Sequence, residues 1–319
     1  MRDVLSGNDL EDGDLDILVE GDAFKFAAIA CESFGGSLKQ FNRFFTAKLL
    51  KPTAFPTIEE IDFASSRTEI YESPGALPVV RLAKLADDLR RRDFSINAIA
   101  LPLAVFADTL KQQIFDGDLI RSSIIDPFHG AADLNRKQIR ILHQRSFHDD
   151  PTRLYRALRY MVRIGGEFEA STGEAFTQAT NLNYLATVST KRQFNEVVKI
   201  VFESKAALLL QHNAMLDLLK GTFVSHHIDA DKFLALLRRI FSATQKKEFA
   251  SSQSVEKLLL ILAFVCLPNT HREGFFQALA VPKKARADLQ SGWDSLLEGN
   301  RQGVHSPEFL WVFGALNES

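Results

Sequence analysis

Cysteine is nearly absent: the 319-residue chain has two, Cys31 and Cys266. They lie far apart and lack metal-ligand spacing, which excludes a disulfide framework and a cysteine-based zinc site. They read as buried thiols in a reducing compartment, which predicts a cytoplasmic protein. Long apolar runs are also missing. The longest, 258–267, falls well short of the ~20 residues a spanning helix needs and reads as a core helix. There is no basic excess: 38 Lys and Arg stand against 40 Asp and Glu, a net charge of −2. No global field announces a polyanion, although net charge does not report local distribution. No signal-peptide pattern opens the chain, and there is no fixed-period repeat or low-complexity tract. With 46% hydrophobic and 24% charged residues, the composition is that of an ordinary globular protein. The length suits two or three domains.

One acidic stretch, 12–22, organises what is present. Read as a strand, it puts Asp14 and Asp16 on one face and Leu15, Ile17 and Val19 on the other. The apolar set can enter a core, which leaves two carboxylates side by side. At about 5 Å and an effective dielectric near 20 they repel by about 3 kcal/mol. A divalent cation between them would offset that, and magnesium, a hard ion at home with carboxylates and substrate phosphates, is the expected guest. The same residues also fit two solvated aspartates at a strand mouth.

The remaining elements follow the same reading. Asp22 can cap a helix over 23–34. Strands are expected at 44–50 and 58–63, and a polar connection with a Pro-Gly signature at 65–75. Helical periodicity is expected over 79–91. Beyond Phe147 strand alternation is scarce, and helices are expected near 150–164, 172–178, 190–202, 205–219, 230–241, 255–265 and 285–296. A mixed α and β head joined to an all-helical remainder is the simplest architecture.

Three clusters can carry chemistry. In the run 90–97, the three consecutive arginines Arg90, Arg91 and Arg92 can grip a triphosphate, since guanidinium forks match phosphate oxygens. A solvated helix end with Asp87–Arg91 and Asp88–Arg92 pairs is the alternative. Asp126-Pro127-Phe128-His129-Gly130, followed by Asp133, marks a turn into a short helix; it equally reads as a plain connector whose value is its position at the join between head and helical part. Finally, Asp150 can cap a helix on which Arg153, Arg156 and Arg159 recur every three residues. An Asp150–Arg153 pair can read bases. The carboxylate accepts from the exocyclic amine of cytosine or adenine, and the guanidinium donates to the ring acceptor beside it. Guanine and uracil present the reverse polarity. A capping aspartate with an ordinary salt bridge is the alternative.

Taken together, in order and at this spacing, the motifs resemble the class II tRNA nucleotidyltransferase (CCA-adding enzyme) and bacterial poly(A) polymerase family. The matching residues are Arg2-Asp3, Asp14-Leu15-Asp16, Arg67-Thr68-Glu69, Pro74-Gly75, Asp88-Leu89 with Arg91-Arg92-Asp93-Phe94, and Ile96-Asn97-Ala98. They continue through Asp126-Pro127-Phe128, Gly130, Asp133, Asp150-Pro151-Thr152-Arg153, Arg156, Arg159, Arg192 and Glu196.

The resemblance implies an α+β fold. A nucleotidyltransferase head (mixed sheet with helices, lacking the family's first strand) would span 1–142, a helical neck that recognises the base 143–205, and a helical body and tail 206–319 in contact with tRNA. It implies addition of C, A or both to a tRNA 3′ end from CTP and ATP. Poly(A) synthesis, or addition of CC or A alone, is the family alternative. Asp14 and Asp16 would hold two magnesium ions, with Asp62 a further acidic candidate. Arg2 matches the opening motif on the triphosphate side. Arg92 would contact the nucleotide with Asp93 at the ribose, and Asp150 and Arg153 would read the base. Arg156 and Arg159 would help hold the nucleotide, with Arg192 and Glu196 supporting that helix.

The family's Gly-Gly-x-Val-Arg-Asp opening is reduced here to Met1-Arg2-Asp3, and Met1 stands where the family has valine. This leads to the expectation of a GTG valine codon read as a start, with an in-frame Gly-Gly codon pair upstream. The residue before Asp150 is Asp149 rather than the family's frequent glutamate. Two readings of other classes remain. One is a metal phosphohydrolase using His148-Asp149 or His226-His227, which would need further ordered ligands. The other is a truncated, non-catalytic RNA-binding relic. The 73–80 loop favours addition of the final A.

Overall fold

Alternation of apolar and charged side chains builds the first sheet. The computed structural model describes residues 1–6, 15–56, 58–112, 117–243, 251–298 and 307–317. The chain is α+β and divides into two units, 1–146 with 166–174, and 147–165 with 175–319.

The first unit opens with α1 (Arg2–Leu5), β1 (Leu15–Val19), α2 (Ala23–Phe34), β2 (Ser37–Phe41), β3 (Thr46–Leu50) and β4 (Glu60–Ser65). The four strands form a mixed sheet in the order β1-β4-β3-β2. β1 runs parallel to β4, and the other pairings are antiparallel. Leu15, Ile17 and Val19 pack against a core of Ala23, Ala27, Ala47, Leu49, Ile61 and Phe63, so β1 carries its apolar set inward. α2 starts where Asp22 Oδ1 accepts from the Phe24 and Lys25 amides at 2.9 and 3.2 Å. This is an N-cap that satisfies two otherwise orphaned donors. β2 was not foreseen.

The next stretch corrects two expectations. Residues 67–70 and 79–82 are not a loop and a helix start but an antiparallel hairpin, β5 (Arg67–Ile70) with β6 (Val79–Leu82). Only afterwards does α3 (Leu85–Arg90) begin. The polarity of β5 is the polarity of ion pairing: Glu69 takes Arg67 at 3.2 Å and Arg91 at 2.8 Å. The unit continues through α4 (Leu103–Gln112), α5 (Gly117–Ser123), α6 (Gly130–Asn135) and β7 (Gln138–Ile139), which pairs with β8 (Glu167–Phe168).

The second unit is helical: α7 (Ser146–Asp149), α8 (Arg153–Ile164), α9 (Ala170–Asn181, divided between the units), α10 (Thr190–Phe202), α11 (Ala206–Leu209), α12 (Asn213–Ser225), α13 (Ala230–Ala243), α14 (Ser252–Cys266), α15 (Asn269–Ala278), α16 (Lys283–Leu297) and α17 (Pro307–Asn317). α14 lies at its centre. Val255, Leu258, Leu259, Ile261, Leu262 and Phe264 are all buried, each contributing roughly 1.5–3 kcal/mol, and α10, α13 and α17 pack on it. The single helix expected over 205–219 is broken at 210–212. Leu210 there is buried, and apolar periodicity alone does not reveal the break. Among the described residues, no helix is long and apolar enough to cross a membrane.

Candidate functional site

With its apolar residues turned inward, β1 presents Asp16 to solvent. In the sheet register Asp16 stands beside Asp62 of β4, Asp62 beside Lys48 of β3, and Lys48 beside Lys39 of β2. A row of two carboxylates and two ammoniums therefore crosses the sheet. Lys48 Nζ donates to Asp62 at 2.9 Å and to Glu60 at 2.7 Å. Burial alone would lower the Lys48 pKa, but the hydrogen bonds and charges of Glu60 and Asp62 outweigh it and raise it. Asp14 lies outside the described residues.

Asp16 is an exposed carboxylate next to a second one, a hard-oxygen donor set that suits magnesium. Asp62 shares its charge with Lys48. Among the described residues, no group of three or more His, Cys, Asp or Glu is arranged to hold a metal.

Asp88, fully buried, organises the arginine cluster. Its Oδ2 accepts from Arg91 Nε and Nη2 at 3.0 and 2.7 Å and from the Arg67 amide at 3.1 Å. Its Oδ1 faces Arg92 at 3.4 Å. Arg92 also donates to the Asn97 carbonyl at 3.1 Å. Asp93 is 6% exposed, and its Oδ1 accepts from the Phe94 amide and Asn97 Nδ2 at 2.9 and 3.0 Å. The Asn97 Oδ1 in turn accepts from Arg2 at 2.7 Å. Arg2, Arg92, Asp93 and Asn97 thus form one connected cluster. The Ser66 amide donates to the Val19 carbonyl at 2.9 Å and the adjacent Arg67 amide to Asp88 at 3.1 Å, which ties the end of β1 to the cluster.

α6 fixes this turn from behind. Asp126 accepts from the Gly130 and Ala131 amides at 2.7 and 2.9 Å. Buried Asp133 takes the Ser95 hydroxyl and Arg140. Gly130 is required by close approach, since a Cβ there would sit 2.0 Å from the Ser95 carbonyl oxygen. The Asp88–Arg92 pair was expected and is present; that Asp88 is fully buried and also holds Arg91 and the Arg67 amide, and that Asn97 links Asp93 to Arg2, was not foreseen. The i,i+4 spacing of Asp93 and Asn97 was the available signal for the latter.

In the helical unit, Asp150 turns the chain into α8. Its Oδ1 accepts from the Thr152 amide at 3.1 Å, the Thr152 hydroxyl at 2.6 Å and Arg192 Nη2 at 2.8 Å. Among the described residues, no hydrogen bond is made by Oδ2. Arg153, on the first turn of α8, is 5% exposed. Arg156 lies over the Tyr160 ring at 5.3 Å and donates to its hydroxyl. Arg159, 6% exposed, is enclosed by Glu196 at 3.4 Å and Glu203 at 3.3 Å. Arg192 and Glu196 on α10 therefore hold Asp150 and Arg159, one each. His226 packs on Phe275 at 5.8 Å and His227 on His271 at 4.1 Å.

The first unit therefore carries a mixed sheet with two neighbouring carboxylates and an arginine cluster, and the second unit is helical. Residues 1–140 match the family model described as the poly A polymerase head domain. The A-adding tRNA nucleotidyltransferase of Halalkalibacterium halodurans is 38% identical over 206 residues, covering 64% of this chain and 44% of that protein. The chain thus spans less than half of that relative. A solved CCA-adding enzyme in an apo form superposes with a TM-score of 0.66 at 27% identity, covering all of this chain and 74% of the other. A tRNA nucleotidyltransferase solved with a primer tRNA and an incoming ATP analog gives a TM-score of 0.57 at 25% identity, with 99% and 86% covered.

Proposed function

We propose that the chain is a template-independent RNA nucleotidyltransferase that adds A, or C and A, to the 3′ end of tRNA. The observation that carries this reading is the charged face of the head sheet, Asp16 beside Asp62, within a domain of the poly A polymerase head family. In the reaction the primer 3′-oxygen forms a bond to the nucleotide α-phosphorus. The bond to the bridging β-phosphate oxygen breaks, and pyrophosphate leaves. Asp14 and Asp16 are the residues that would hold magnesium, which would supply Lewis acidity and charge neutralisation for this displacement. Arg2 and Arg92 meet the triphosphate, with Arg92 pre-set by Asp88 and the Asn97 carbonyl. Asp93, which shares Asn97 with Arg2, orders the turn that meets the ribose.

Base choice belongs to α8. Arg192 and Thr152 fix Asp150 through Oδ1, leaving Oδ2 to accept from the exocyclic amine of A or C while Arg153 donates to the ring nitrogen. Arg156 and Arg159 support the nucleotide from the same helix, Arg159 through its hold on Glu196 and Glu203. Three parts follow from this division of labour: a head over 1–142, a neck over 143–205 and a body over 206–319 that meets tRNA. The cytoplasm is the compartment proposed. The similarity to an A-adding enzyme favours addition of the terminal A.

The test supplies CTP and ATP, singly and together, to three RNAs: tRNA lacking CCA, tRNA ending in CC, and an unrelated RNA. Extension of the CC-ended tRNA by a single A is the expected result. Incorporation into none of the three would overturn the reading, and long A tracts on the unrelated RNA would make it a poly(A) polymerase.

A further inference from the structure

A groove of about 570 Å³ lies between α15 and α16, floored by Phe264 of α14. Its walls are one face of each helix: Arg272 and Glu273 from α15, and Lys283, Arg286 and Gln290 from α16. Three cations therefore stand against one carboxylate. Glu273 is already committed to Arg286 and Gln277. Arg272 lies flat on the Phe264 ring at 3.9 Å. Its Nε is buried and, like Arg286 Nε, has no hydrogen-bond partner among the described residues. Burial, opposed by the charge of Asp294, lowers the Arg272 pKa. A buried N–H without a partner is costly, and an anion in the groove could accept from these two Nε–H groups. Lys283 begins a 15-residue helix whose N-cap, Pro282, provides no side-chain cap, and the partial positive charge of a helix start adds to the cations there.

From these observations we infer that the groove is a phosphate subsite that takes a backbone phosphodiester of the RNA, and this rests on the reading of the chain as an RNA nucleotidyltransferase. The chemistry favours backbone over base. Phe264 and Phe276 are buried, and Arg272 covers the Phe264 ring, so stacking a base there would require displacing it. Arg272 and Arg286 offer forked donors and Lys283 a mobile point charge, the set that suits a phosphate oxyanion.

The experiment compares wild type, the double variant Arg272→Gln/Lys283→Gln, and Lys284→Gln, an exposed neighbour outside the groove. Affinity for tRNA lacking CCA is measured across a salt series. Expected for the double variant are affinity weaker by roughly tenfold and a log–log salt slope shallower by about 0.7–0.9 for each phosphate no longer neutralised. The KM for ATP should be unchanged, and Lys284→Gln should behave as wild type. A slope equal to wild type, or a loss matched by Lys284→Gln, overturns the inference. So does inorganic phosphate raising the wild-type melting temperature but not the double variant's while tRNA affinity stays intact, because the groove is then a free-anion site. Absence of nucleotide incorporation by wild type would instead strike the functional reading, which keeps the two failures apart.

Discussion

Asp88 has no exposed surface, yet it holds Arg91, Arg92 and the Arg67 amide. Removing one partner of such a buried network leaves uncompensated charge, at a cost of about 3–5 kcal/mol. Asp88→Ala should lower stability by that amount in a denaturant titration, and Asp88→Asn, which keeps the shape, by less. If Asp88→Ala melted like wild type, the cluster would not be the hub described. Asp16 behaves in the opposite way. It is exposed, and its apolar neighbours carry the strand, so Asp16→Ala should leave the melting curve within about 0.5 kcal/mol of wild type while abolishing nucleotide incorporation. Full turnover in that variant would place the chemistry elsewhere. The two cysteines provide a third contrast. Burial pushes the Cys266 thiol up to about 12, whereas Cys31 is partly exposed. A chromogenic thiol reagent at pH 8 should therefore titrate one thiol in the native protein and two in denaturant.

At the scale of elements, what the sequence revealed depended on which interaction shaped each segment. The apolar stripe of α10 and the Asp22 cap of α2 are local signals, and both helices begin and end where their patterns place them. The alternation in β1 is equally local, and it oriented Asp16 correctly. The β5–β6 hairpin is different. Its polar residues close ion pairs with Arg91, a partner 22 residues further on, so its strand character is written in tertiary contacts. For the same reason the acidic-basic run at 87–92 looked like a solvated helix end. α6 shows how one element sets another. Gly130 lies against the Ser95 carbonyl, so Gly130→Ala would force α6 and the 94–97 turn apart. Overpacking of this kind costs about 1–3 kcal/mol. The expected outcome is a lower melting temperature and a raised KM for ATP, since Asp93 and Asn97 ride on that turn.

For the whole molecule, a net charge of −2 gives no long-range pull on RNA. If the chain acts on RNA as proposed, the grip would come from local cationic arrangements such as the α15–α16 groove, while the carboxylates of the head sheet would serve the metal. A cation held at Asp16 would then serve the chemistry rather than the grip on RNA, and the two can be separated. With a chelator in excess, incorporation of ATP into CC-ended tRNA should cease while affinity for the same tRNA changes less than about threefold, a difference under ~1 kcal/mol. Adding magnesium back should restore incorporation, because carboxylates on a folded strand need no refolding to accept a hard cation. If tRNA binding collapsed together with turnover, the metal would be bridging RNA to protein, and the division of labour between sheet and helices would have to be abandoned.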